Sequence, residues 1–298
     1  MDLHEVDMKG KFWVERLASL PTWTSDDIGR LVYITSNGSF YKATSEGWEA
    51  FQRTIDIFPG YMQRPLFTYI STTSIGIGTG RYHHNGTNEA FLTWSSDLTY
   101  NFGSMTASTW YYLYIDDSAL GGSTTLTSSD LTHSTNEPSW DNTKGGWYRN
   151  DDRCIFAIRT TSSGTIRRFF HLNDCIHWAD YIQIWNTNVS PSWTTLTFYA
   201  PNFCNNVHGT VWTKTGSDVS DASQFAYWRV YGSTGSGFMV GRSNRDRSGS
   251  GSGQHYQREI NTVAHFRLDE SGKRIQLRHV HGNQMQVWQN GWYLPLGM

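Results

Sequence analysis

The chain is short of most features that announce a common function. Cysteine occurs three times in 298 residues, at Cys154, Cys175 and Cys204, with no CxxC or other metal-ligand spacing, and the odd count argues against a disulfide framework. Charged side chains make up 17% of the chain, too few for a protein built on long solvated helices. The net charge of −2 gives no basic field, so nucleic acid is not an expected partner. No run approaches eighteen apolar residues, which argues against a helical membrane span. The first fifteen residues, MDLHEVDMKGKFWVE, carry charges where a signal peptide needs an apolar stretch, so synthesis and retention in the cytoplasm are expected.

Aromatic residues, by contrast, reach 15% of the chain, with 14 Trp and 16 Tyr beside 28 Gly. Short aromatic or β-branched runs at 110–115, 153–160, 165–171 and 181–185 are separated by Ser/Thr/Gly/Asn clusters, the spacing of an antiparallel sandwich or barrel. A second series follows at 196–199, 207–213, 225–231, 262–268, 274–280, 285–288 and 292–294. Strand signals stop at 186–192, NTNVSPS, and a vaguer break falls at 57–64. Trp13, Leu17 and Leu20 fall at helical spacing and Pro21 ends that pattern. The fold expected is all-β: a small N-terminal helix plus β-hairpin module over 1–60, then antiparallel β-sandwich or jelly-roll-like domains over 61–190 and 191–298. The polar run 242–254, RSNRDRSGSGSGQ, reads as a mobile loop.

The stretch 20–51, LPTWTSDDIGRLVYITSNGSFYKATSEGWEAF, packs a complete small module into about thirty residues. Asn37-Gly38 suits a type I′ turn, and counting outward pairs Thr35 with Phe40 and Tyr33 with Lys42. Leu31, Tyr33 and Thr35 then share one pleat face and Val32 and Ile34 the other. A hairpin apolar on both faces needs a partner surface. The order of proline and tryptophan, acidic pair, Gly29-Arg30-Leu31-Val32-Tyr33, turn, Tyr41 and Gly47-Trp48 resembles a module recurrent in tailed-bacteriophage fibre and virion-appendage proteins. The last residues, GWYLPLGM, resemble the C-terminal ends of some phage structural proteins. The resemblance implies virion localisation and an N-terminal module that docks on other virion proteins (capsid, neck, baseplate or fibre), with Trp13, Trp23, Arg30, Tyr33, Tyr41 and Trp48 as the attachment residues. It also implies a homo-oligomer, expected to be a trimer.

Features that would carry catalysis fail on context. IGIGTGR at 75–81 contains GxGxG, but no helical period follows to present an N-terminus to a phosphate, so a glycine-rich strand or bulge is the better account. Asp26-Asp27, Asp116-Asp117 and Asp151-Asp152 are adjacent pairs, and neighbours on a strand point to opposite faces, so no pair straddles one glycosidic bond. GxSxG appears only as the loop run GSGSG at 249–253. His83-His84, His171 with His177, and His279 with His281 are the tempting histidine sets. Each lacks a third ligand in sequence, so no metal and no cofactor are expected. Cys154 alternates with Phe156 and Ile158 and reads as a buried thiol, with a bond to Cys175 as the lesser alternative.

Trp94, Trp110, Tyr112 and Tyr114 remain. Trp110, Tyr112 and Tyr114 share a strand face, and exposed rings of this kind make platforms for sugar surfaces, while buried ones make core or interface. Three readings follow: a non-enzymatic virion structural component, a receptor-binding tail fibre or adhesin that holds host surface glycan on those four rings, and a polysaccharide-cleaving spike. The last needs a β-helix repeat that is not visible. The structural reading is preferred.

Overall fold

A computed structural model of the chain describes residues 14–35, 39–51, 62–188, 192–214, 224–243, 259–279 and 284–298. Strands make up 54% of it against about 4% helix, so the all-β expectation holds at the level of class. The chain divides into two compact units, 1–58 and 59–298.

The first unit is a four-stranded sheet ordered Glu15–Leu17, Leu31–Ile34, Ser39–Thr44, Gly47–Phe51. Its first strand runs parallel to the second, with Glu15 opposite Val32 and Leu17 opposite Ile34. Leu17 therefore lies in a strand and not in the helix that its spacing suggests. Its backbone finds partners across the sheet: the Thr35 N–H donates to the Leu17 carbonyl at 2.8 Å, and three apolar residues over eight positions are too few to hold an isolated helix against that. The hairpin register also differs from the count. Tyr33 pairs with Phe40 and Ile34 with Ser39, so pairing stops two residues earlier on the first strand than a two-residue Asn-Gly loop requires. The slip is an even number of residues, so Val32 and Ile34 keep their shared buried face. Residues 36–38 lie outside the described residues, as do Trp13, His281 and most of the 242–254 run.

The second unit contains five further sheets among the described residues. Two small ones are ordered Leu98–Asn101, Ser74–Ile77, Phe67–Tyr69, and Met62–Gln63, Gly80–His84, Ala90–Trp94. The glycine-rich 75–81 run thus forms strands and not a phosphate loop. A five-stranded sheet is ordered Leu131–Ser134, Trp110–Ile115, Asp152–Arg159, Gly146–Arg149, Ser139–Asp141. A second is ordered Phe169–Leu172, Cys175–Asn188, Gln284–Tyr293, Asn206–Lys214, Glu259–Arg267, and a four-stranded sheet Thr194–Thr197, Arg274–His279, Gln224–Val230, Phe238–Ser243. All their strand pairings are antiparallel.

The break expected at 186–192 falls at the end of a strand, Cys175–Asn188, that pairs with Gln284–Tyr293. Residues on both sides of it share one sheet and one continuous core running from Phe67 to Met298. Trp292, 1% exposed, is the hub of that core. Its ring meets Trp110 edge-on at 5.8 Å, Phe156 at 6.2 Å and Phe203 at 5.8 Å, tying two five-stranded sheets together through aromatic area. The C-terminal stretch is strapped down by cations. Arg64 donates to the Met298 oxygen at 2.6 Å and the Pro295 carbonyl at 2.7 Å, and also pairs with Asp174. Arg153, fully buried, reaches the Gly297 carbonyl at 3.1 Å and lies 5.1 Å over the Tyr82 ring.

None of the helices among the described residues is long and apolar enough to cross a membrane.

Candidate functional site

In the first unit, Trp23 and Trp48, two of the tryptophans expected to dock on a partner, close the unit on itself. The connection between the first two strands carries a 3-10 turn, Ser25–Asp27, capped by Thr24 and Asp27. Trp23 Nε1–H donates to the Thr44 carbonyl and Trp48 Nε1–H to the Pro21 carbonyl, both at 3.0 Å, so both indoles pin that connection over the Val32, Ile34 and Ala43 face. Arg30 lies 5.9 Å over the Trp48 ring and pairs with Glu15 at 2.6 Å and Asp27 at 2.7 Å. Those hydrogen bonds, first to Arg30 and then to Thr24, hold the Asp27 carboxyl below the usual carboxylate range. Tyr41 lies half-buried opposite Val32. Tyr33 lies on the opposite face of the sheet from Val32 and Tyr41. It pairs with Phe40 at 4.9 Å between centroids, under the Arg16 guanidinium at 5.6 Å, and Phe40 is 44% exposed.

In the second unit, the structure overturns the glycan platform at three of its four rings. Tyr112 and Tyr114 are fully buried and Trp94 is 5% exposed. Their polar tips are spent inside the protein: Tyr112 donates to Glu137 at 3.2 Å, Tyr114 to the Asn136 carbonyl at 2.6 Å, and Trp94 Nε1–H to the Gly78 carbonyl at 2.7 Å. Trp94 stacks on Tyr82 at 5.9 Å. Trp110 is half-buried against Trp178 and Trp292. From Tyr111 to Ile115 both faces of the strand are buried, and a register shift falls between Leu113 and Tyr114.

The histidine sets separate. His83 pairs with Glu89 and His84 with Asp117, both at 2.9 Å. His171 accepts from the Phe67 N–H through Nδ1 at 3.0 Å and reaches the Asn173 carbonyl through Nε2 at 2.6 Å, while His279 is buried. All three cysteines are free and buried, so the alternative bond between Cys154 and Cys175 is not made. Burial raises the Cys154 thiol well above its usual range.

The fold assembles instead a group that no spacing announced. Cys175 and His177 lie two residues apart on one strand and so share a face. Strand register places His177 opposite Gly291, and Gly291 opposite His208 on the next strand. Glycine at the centre of that row leaves a gap over which the two imidazoles lean, their ring centroids 4.3 Å apart. A Cβ at 291 would collide with the Ile176 carbonyl oxygen and His208 Nε2. Among the described residues, Cys175, His177 and His208 are one group whose ligand atoms all lie within 4.8 Å of one another. His208 is 3% exposed, and its Nε2 makes no well-formed hydrogen bond, with only the Ile176 carbonyl beside it. Burial, then the neighbouring His177 and His265, push His208 down to about 4, and burial pushes the Cys175 thiol up to about 12. Tyr293 stands beside them: its hydroxyl meets His265 Nδ1 at 2.5 Å and the Cys175 sulfur.

No protein-family model matches the sequence, and no curated protein matches it either.

Proposed function

We propose that this chain is a non-enzymatic structural protein of a tailed-bacteriophage virion, a head or tail appendage that docks through its N-terminal unit and self-associates through its β unit. The observation that carries the reading is that the stretch resembling the phage module folds within a compact unit of its own, 1–58, stitched by Trp23 and Trp48. The docking surface is then the opposite sheet face, with Tyr33, the half-exposed Phe40 and Arg16, since the tryptophan indoles are already hydrogen-bonded internally. Stacked ring and guanidinium surfaces of this kind are enriched in interface centres.

Self-association is placed on the β unit, whose antiparallel sheets stack as sandwiches around the shared core. Phe238–Ser243 and Glu259–Arg267 each end their sheets, and they expose Phe238 at 66%, Met239 at 57% and Val263 at 65%. Edge strands with exposed apolar residues are a pairing hazard unless an assembly covers them. We take that assembly to be a homotrimer. Receptor binding through a glycan platform loses its support with Trp94, Tyr112 and Tyr114 in the core.

The double substitution Tyr33→Ala/Phe40→Ala tests the docking face. Particles grown with the variant are expected to lose the protein from purified virions, with its far-UV spectrum and thermal melt unchanged. Incorporation at the wild-type level would contradict the reading.

A further inference from the structure

We propose that Cys175, His177 and His208 form a binding site for one divalent transition-metal ion of the zinc class, held across Gly291 between strands Cys175–Asn188 and Asn206–Lys214. The proposal is independent of the virion reading and stands or falls by itself.

The donor set is a thiol and two imidazoles. This soft and intermediate combination suits zinc and disfavours magnesium or calcium, which take oxygen ligands. The geometry is close to what the ion needs. Tetrahedral zinc with metal–nitrogen distances near 2.0–2.1 Å and metal–sulfur near 2.3 Å sets two nitrogens and a sulfur roughly 3.3–3.6 Å apart. Here the three ligand atoms already lie within 4.8 Å of one another, so side-chain adjustments of about 1.5 Å or less close the site. Two of the three ligands share a strand face and the third is brought in by register, so the donors sit on paired backbone and not on loops.

An independent observation also points to a ligand. Buried His208 Nε2 makes no well-formed hydrogen bond and has only the Ile176 carbonyl beside it, so it is an under-satisfied polar atom that a ligand would stabilise. Gly291 has a role in the same picture. Any side chain there would collide with the Ile176 carbonyl and with His208 Nε2, and glycine inside a strand often marks close approach of a ligand.

Outer contacts fit as well. The Tyr293 hydroxyl, placed between the Cys175 sulfur and His265, is set to donate to a metal-bound thiolate, the kind of outer contact that orients ligands. His177 is half-buried and His265 exposed, which gives the ion a way in and leaves a fourth coordination position open to water. On binding, the ion forms its bond to the Cys175 sulfur as the thiol releases its proton to solvent, with no change of oxidation state. Cys204, buried nearby, donates instead to the Asn206 carbonyl at 2.9 Å.

The test uses the full chain, stripped with a chelator, equilibrated with zinc and passed through a desalting column. The expected result is about one zinc per chain by elemental analysis. Replacing zinc with Co²⁺ should give the visible absorption of a tetrahedral site and a sulfur-to-cobalt charge-transfer band. That band should vanish in Cys175→Ser, and His177→Gln should weaken zinc binding by at least about tenfold. His177 is half-exposed, so the variant is expected to fold, and its thermal melt without metal checks this. Failure of the wild-type chain to retain zinc would overturn the proposal. So would equal retention by wild type, Cys175→Ser and His177→Gln, since the ion would then lie elsewhere.

Discussion

His171 shows how a single side chain in this protein couples its environment to stability. Its Nδ1 accepts the Phe67 N–H, which requires the proton to sit on Nε2, where it is donated to the Asn173 carbonyl. Protonating Nδ1 would break the first bond inside the core, and burial lowers the pKa accordingly. The unfolded chain takes up that proton near pH 6.5 and the folded one only at lower pH. The unfolded state therefore binds more protons in that window, and stability falls as pH drops through it. Burial also lowers His84 and His133, so several groups share the effect. Thermal melts of the wild type are expected to shift downward between pH 7 and pH 5, and His171→Gln to show a shallower dependence. An unchanged slope in the variant would contradict this assignment.

Among the elements, the strands were legible and their partners were not. The aromatic run at 110–115 reads as a strand because of its residue types, and the structure has one, Trp110–Ile115. Rings on both of its faces favour core and interface over a sugar platform, and Tyr112 and Tyr114 are core. The 186–192 break was legible as a loss of strand signal, but the pairing of Cys175–Asn188 with Gln284–Tyr293 joins residues about a hundred positions apart, and local pattern carries no trace of that. The Cys175, His177 and His208 group was hidden for the same reason: two members are visible as a CxH pair, while the third arrives through the register of a strand on the far side of Gly291. Leu17 was misread because helical spacing over two turns is weaker than a parallel strand pairing. Trp292 is the element-scale test of how the sheets hold together. Trp292→Ala removes contacts to Trp110, Phe156 and Phe203 at once and should cost about 3–5 kcal/mol, read as a drop in the denaturant midpoint. A loss below about 1 kcal/mol would mean that the two sheets do not depend on this ring.

At the scale of the whole molecule, the described residues form a small sheet closed by Trp23 and Trp48 and a β unit with one continuous aromatic core, and the proposed assembly would use apolar edge strands of the latter. Among the described residues, Phe238–Ser243 and Glu259–Arg267 are the last strands of their sheets. In the proposed trimer, a symmetric copy would cover their exposed Phe238, Met239 and Val263. The most direct measurement of that claim is the light-scattering mass of the purified chain over a range of concentrations. The account predicts three times the 34.1 kDa chain mass, falling toward the single-chain value when Phe238 and Val263 are both replaced by lysine. A wild-type chain that stays monomeric at every concentration would contradict it.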